Sequence, residues 1–394
     1  MNRTNRILPV YAGDVSGACS ALFELGGMVV IHDPSGCNST YNTHDETRWY
    51  DHDSLIFISA LMERDAILGN DDKLVRDVID AVRELHPRFV ALANSPIPFI
   101  TGTDFAALSR LIERATGVPC FYVRTNGMHD YVEGAGNAFV ALAQRFVAAR
   151  PAREGALNIL GATPLDLGVA GSDAPLRAFA QAAGFEVVSC WAMGSTLDEL
   201  CRAAEAQVNL VVSATGLKLA RWLHEQFGTP YVVGMPLGAP VEEPLRAPWA
   251  ARLAQELREA AAAGECRWPC RDLRAPAGEG AGCLIGEPVL MGSLACALGG
   301  PWRVVCPLEA AAELLAPTDV HSEGEEGAEE ALAGATRVVA DALYGPIVPA
   351  AAAFTELPHQ AFSGRNGWKA ARDLVQMDPQ TLMAPDTCLI HPEK

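Results

Sequence analysis

The sequence predicts an α/β protein made of two to three doubly wound, Rossmann-like parallel-sheet domains. Short apolar runs rich in Val, Ile and Leu alternate along the chain with longer stretches of helical pattern, the signature of strands joined by crossover helices. The length of 394 residues, 49% of them hydrophobic, is enough to bury more than one core. The first apolar run also stops dead on a Pro-Ser-Gly turn, as a buried strand does where it leaves its sheet.

Strand-like runs fall at 28–31, 89–93, 157–160, 186–190, 210–213, 231–234 and 338–340. Each is too short for a helix and is bounded by turn or polar residues. Helical patterns occupy 72–85, 105–116, 175–184, 197–206 and 217–227. Breaks in this rhythm divide the chain. The polar, proline-marked stretch 149–155 precedes a fresh strand, and 266–281 is rich in Pro, Gly and charge. The domains expected are therefore 1–152, 153–275 and 276–394. The acidic run 322–327 reads as a solvated loop at a helix start.

A formal net charge of −18 with only 30 Lys and Arg argues against nucleic acid or an anionic membrane surface as partner. No apolar run reaches the roughly 18 residues of a membrane span. Eleven cysteines without a paired framework, and no leader-like start, point to the reducing cytoplasm. No Gly-x4-Gly-Lys-Ser/Thr loop is present, so ATP is not expected to bind by that route. Gly168-Val169-Ala170-Gly171 lacks the third glycine and the acidic follow-on of a dinucleotide turn, so NAD is not expected either.

The most informative residue is Cys37, in Ile31-His32-Asp33-Pro34-Ser35-Gly36-Cys37. A thiol just past a strand end, with Gly36 letting a bulky group approach the backbone, suits a metal cluster. A small buried hydrophobe is the plain alternative. Beyond it, 38–52 carries His44, His52, several carboxylates and three aromatics. Such a loop could line a substrate pocket with His44 and His52 as proton donors, or simply be a solvated helix entrance. Arg48 with Asp45 could equally form an ordinary surface ion pair. Cys266 and Cys270 have the wrong spacing for a zinc knuckle, and Cys283, Cys296 and Cys306 sit on apolar segments that read as core.

Taken together, several of these pieces resemble the nitrogenase component 1 superfamily. His32-Asp33-Pro34-Ser35-Gly36-Cys37 is similar to its His-Gly-x-x-Gly-Cys, Ile67-Leu68-Gly69-Asn70-Asp71-Asp72-Lys73-Leu74 to its Phe-Gly-Gly-x-x-Lys-Leu, and Ser95-Pro96 with Gly102-Thr103-Asp104 to its Cys-Pro and Gly-Asp-Asp. Fainter likeness follows at 191–200 and in Pro358-His359-Gln360-Ala361-Phe362-Ser363-Gly364.

The resemblance implies an interfacial iron–sulfur cluster with Cys37 as ligand. Of the three cysteines that family members with a full cluster set carry, only Cys37 is in register; Gly13-Asp14 and Ser95 stand at the other two positions. A large double-cubane cluster is therefore not expected. Ser213 replaces a cofactor-anchoring cysteine, and the matching histidine position falls in the run 350–353, which argues against an iron–molybdenum cofactor. Two Cys37 and two Cys19 from paired chains would supply four thiolates for a 4Fe–4S cluster, with Cys19 gaining from a helix N-terminus and Asp14 as reserve ligand.

The expected assembly is a homodimer, or a heterodimer with a homologous subunit, that receives electrons from an iron-protein-like P-loop ATPase. Its expected role is an oxidoreductase acting on a small molecule. A noncatalytic scaffold for metallocofactor assembly, as in the family's assembly homologues, is the alternative; a cluster-free α/β ligand-binding protein is a third.

Overall fold

A computed structural model describes residues 4–34, 46–50, 52, 54–168, 171–278, 280–366 and 371–383. Among them thirteen strands form three sheets in which every neighbouring pair runs parallel. The first sheet holds β1 (Met28–His32), β2 (Leu55–Ile58), β3 (Val90–Asn94) and β4 (Cys120–Val123) in the order β2-β1-β3-β4. The second holds β5 (Ala156–Leu160), β6 (Glu186–Cys190), β7 (Val208–Val211) and β8 (Tyr231–Val233) in the order β6-β5-β7-β8. The third holds β9 (Gly282–Ile285), β10 (Trp302–Cys306), β11 (Val320–His321), β12 (Arg337–Ala340) and β13 (Ala353–Glu356) in the order β11-β10-β9-β12-β13.

In each sheet the chain builds outward one way from its first strand, then crosses back and builds the other way. The reversal leaves a crevice at the carboxyl ends of β1 and β3, of β5 and β7, and of β9 and β12, where ligands collect in open α/β sheets. The central strands β1, β5 and β7 are buried at every residue, which is why they read as continuous apolar runs.

Several strands escaped the sequence pattern. β2, β4 and β13 are four residues each and partly exposed, and β11 is a two-residue edge strand. Short flanking strands carry mixed polarity and give little periodic signal. The helix expected over 197–206 is a single turn, Leu197–Leu200, capped by a Thr196–Glu199 box, and the chain then passes into a 3-10 turn, Ala203–Glu205.

The helix Asp14–Leu22 crosses Tyr131–Phe146 backbone to backbone. A Cβ on Gly17 would collide with the Tyr131 backbone, and one on Gly134 with that of Asp14. One apolar core runs from this helix pair through the second sheet into the third, while a smaller one, with Leu74, Val78, Leu108 and Ile112, covers the outer face of the first sheet. No helix among the described residues is long and apolar enough to cross a membrane.

Candidate functional site

The first crevice is closed by polar residues from three strand ends and one helix start. His32, last in β1, is paired in register with Asn94, last in β3. Its Nδ1 lies 2.7 Å from Ser59 Oγ, just past β2, and its Nε2 faces Asp71 at 3.8 Å. Burial pulls the imidazole pKa down to about 4, so His32 is neutral at pH 7. Ser95 Oγ donates to the His32 carbonyl at 2.8 Å, and its hydroxyl is fully buried. Asp33 and Pro34 then lead out of the sheet into 35–45. That segment holds Gly36, Cys37 and His44 and lies outside the described residues.

Asp14 and Cys19 have other surroundings than the sequence suggested. The Asp14 carboxylate accepts from the backbone N–H groups of Asn126 at 2.7 Å and Gly127 at 2.9 Å, which ties the first helix to the loop after β4. Burial raises its pKa while those donors oppose the rise. Cys19 is not at a helix start. The helix begins at Asp14, Cys19 lies on its second turn, and the side chain is sealed in the core at 0% exposure. Desolvation pushes the thiol up instead of the dipole bringing it down.

The reading of Arg48 as a surface ion pair is also corrected. Its guanidinium is buried, held by Glu46 at 2.7 Å and Glu24 at 2.9 Å, and donates to the carbonyl of Ala192, just past β6 of the second sheet, at 2.8 Å. Glu24 in turn accepts from Gly194 N at 2.8 Å. Residues 46–50 are thus clamped between two sheets. His52 follows them on the surface.

Next to the crevice, a cleft of about 610 Å³ opens at the carboxyl ends of β3 and β4. Asn94, Tyr122, Arg124 and Asn126 come from the strand ends, Phe99 and Phe105 from the helices Pro96–Thr101 and Phe105–Thr116, and Lys218 from the helix Leu217–Phe227 beyond β7.

A second polar centre, which sequence reasoning did not single out, lies where the layers of all three sheets meet. Tyr131 donates to Asp166 Oδ1 at 2.6 Å and Thr163 to Asp166 Oδ2 at 2.9 Å, and His359 Nε2 stands 3.6 Å from the same carboxylate. Glu287, just past β9, accepts from Ala214 N at 2.8 Å and from Val289 and Leu290 N at its own helix start. Full burial, with Asp166 nearby, pushes its pKa up to about 8. Ser213 donates to the Gly161 carbonyl at 2.9 Å, so this hydroxyl closes the second crevice. Among the described residues, no group of three or more His, Cys, Asp or Glu side chains is placed to hold a metal ion. The individual residues of this centre carry no motif; only the likeness around Pro358-His359 pointed toward it.

The profile of the nitrogenase component 1 type oxidoreductases matches residues 14–243, more than half of the chain. The chain belongs to that family. This component 1 relative is 25% identical to the nitrogenase iron-molybdenum cofactor biosynthesis protein NifE of Clostridium pasteurianum, over 45% of its own length and 38% of that protein. It is 26% identical to the nitrogenase molybdenum-iron protein alpha chain of Azospirillum brasilense, over 52% and 45%. It is 24% identical to a light-independent protochlorophyllide reductase subunit of Nostoc punctiforme, over 53% and 43%. The chain thus spans less than half the length of these curated relatives. A solved structure, nitrogenase Cp1 at pH 6.5, superposes with a TM-score of 0.57 at 16% identity, covering 78% of this chain and 64% of that one. At that identity the likeness speaks for the fold.

Proposed function

We propose that this component 1 family member is the electron-accepting subunit of a two-component reductase, with Cys37 ligating an iron–sulfur cluster at a subunit interface. The observation that carries the reading is the way β1 ends. Its buried strand delivers His32, Asp33 and Pro34 to the carboxyl edge of a switch-point crevice, and Cys37 follows five residues after His32.

The donor set limits the cluster. Cys37 is the only cysteine in 35–45, Cys19 is sealed in the core, Ser95 is spent on a backbone carbonyl, and Asp14 is spent on two backbone N–H groups. Four thiolates are needed for a 4Fe–4S cluster. This chain therefore contributes Cys37, and a homologous subunit supplies the balance, which favours a heteromer over the symmetrical Cys19–Cys37 arrangement. The bound cluster would hold the electrons passed to the complex.

The protein's own residues shape the approach. The neighbouring helices Glu63–Leu68 and Pro96–Thr101 expose Ile67, Leu68 and Ile100 by 68–74%, beside the same sheet edge. An apolar patch of this kind marks a contact surface, and an iron-protein-like ATPase reductase is the partner proposed for it.

The test is anaerobic iron and sulfide quantitation with electron paramagnetic resonance on the chain co-produced with its homologous partner. Iron and sulfide are expected near four per cluster. Both are expected to disappear in Cys37→Ala and to persist in Cys19→Ala. Colourless, sulfide-free material from the wild type would overturn the proposal. The assembly-scaffold reading draws its support from the similarity to NifE; release of a bound metallocofactor to an acceptor protein, without substrate-driven oxidation of the reduced cluster, would favour it.

A further inference from the structure

We propose that the cleft at the carboxyl ends of β3 and β4 is the small-molecule pocket of this chain and that it takes a flat, unsaturated acid whose carboxylate pairs with Arg124. The proposal rests on the reductase reading for the use of that ligand, but its chemistry comes from the cleft itself. At about 610 Å³ the cleft is within the range of small-molecule sites, roughly 300–1,000 Å³.

Its charges are unevenly satisfied. Lys218 is held by Glu133 and Asn137. His129 is paired with Glu309, and Asp104 caps Ala107 N at 2.9 Å. Arg124, exposed, forms no ion pair with a carboxylate among the described residues, while its backbone carbonyl is fixed by Asn137 Nδ2 at 2.8 Å. Arg124 is therefore the cation of the cleft left without a carboxylate partner among the described residues, while the lining as a whole, Asp104 and Glu133 against Arg124 and Lys218, is formally balanced. A carboxylate is the group that a guanidinium binds with two parallel hydrogen bonds.

The walls define the remainder of the ligand. Phe99 is 50% exposed and Tyr122 is partly exposed in the same space, so a flat π-system would cover aromatic surface that now meets water. Asn94 Oδ1 is buried and has no hydrogen-bond partner among the described residues, although the backbone of the same residue is satisfied in both directions by Thr125 Oγ1 at 2.8 and 2.7 Å. The position also suits the proposed chemistry. Asn94 lies opposite His32 in the sheet, and the five residues from His32 to Cys37 can span at most about 18 Å.

The experiment is isothermal titration calorimetry on the Cys37→Ala chain, which needs no cluster. The probes are 2-naphthoate, its neutral counterpart 2-naphthylmethanol, and saturated cyclohexanecarboxylate. The expected result is one saturable site for 2-naphthoate, with both controls and the surface variant Arg124→Gln weaker by about tenfold or more. Phe99→Ala is expected to weaken 2-naphthoate while leaving its preference over the alcohol. Equal binding of acid and alcohol, undiminished binding to folded Arg124→Gln, or no saturable binding at millimolar 2-naphthoate would each overturn the proposal. Since Cys37 is absent from the protein titrated, acid binding without a cluster in the wild type would sink the reductase reading and leave the pocket standing; the reverse outcome would do the opposite.

Discussion

His32 shows how burial decides chemistry at a single residue. The free imidazole titrates near pH 6.5, but in the fold protonation is resisted until about pH 4. Between those values the unfolded chain binds a proton that the native chain refuses. The stability linked to His32 is therefore complete above about pH 6.5 and is lost as pH falls toward 4. Urea unfolding at pH 7 and pH 5 should show this loss, and His32→Gln should reduce it. Asp14 makes a different kind of prediction. Asp14→Ala leaves the N–H groups of Asn126 and Gly127 without their acceptor inside the protein and is expected to cost about 1–3 kcal/mol in denaturant unfolding. Asp14→Asn keeps a side-chain oxygen and should cost less. Were Asp14 a cluster ligand only, neither change would move the stability of the cluster-free chain.

At the scale of elements, the crossing of Asp14–Leu22 with Tyr131–Phe146 depends on having no side chain at Gly17 and Gly134. Helix propensity alone would favour Ala at either position. Here tertiary contact overrides it, because each added Cβ meets backbone that has nowhere to go. Gly134→Ala is expected to destabilise by about 1–3 kcal/mol, read as a lowered thermal midpoint, since overpacking must push the helices apart. A gain in stability would mean that the helices are not in backbone contact. Gly136 on the same helix is a useful control: its Cβ would chiefly meet the movable Lys218 side chain, so Gly136→Ala should be milder.

Across the whole molecule, two buried acidic side chains tie the three sheets together. Glu287, beyond β9 of the third sheet, accepts from Ala214 beyond β7 of the second, and Asp166, beyond β5, accepts from Tyr131 on the helix that follows β4 of the first. The Glu287 carboxyl is pushed up to about 8 from the ordinary value near 4.3, so over that interval the folded chain holds a proton the unfolded chain has lost. Native stability linked to this group must then fall as pH rises from about 4.3 to 8, opposite in sign to the His32 effect. Thermal scans from pH 6 to pH 9 should show the decline, and Glu287→Gln, which keeps an acceptor oxygen, should flatten it. A steeper decline in the variant would contradict this assignment.

The sequence by itself determined the class of architecture, because β-branched apolar runs alternating with helical periods have few other ways to bury their surfaces, and the motifs from His32 to Asp104 were enough to raise the family resemblance. It also made Cys37 stand out, since a thiol behind a Pro-Ser-Gly turn is a local feature. Only the tertiary structure decided that Cys19 is core, that Arg48 is a buried clamp, and that Asp166, Glu287 and His359 share one centre. Those outcomes depend on which distant residues remove a group from water, and burial is a property of the packed chain that no local spacing encodes.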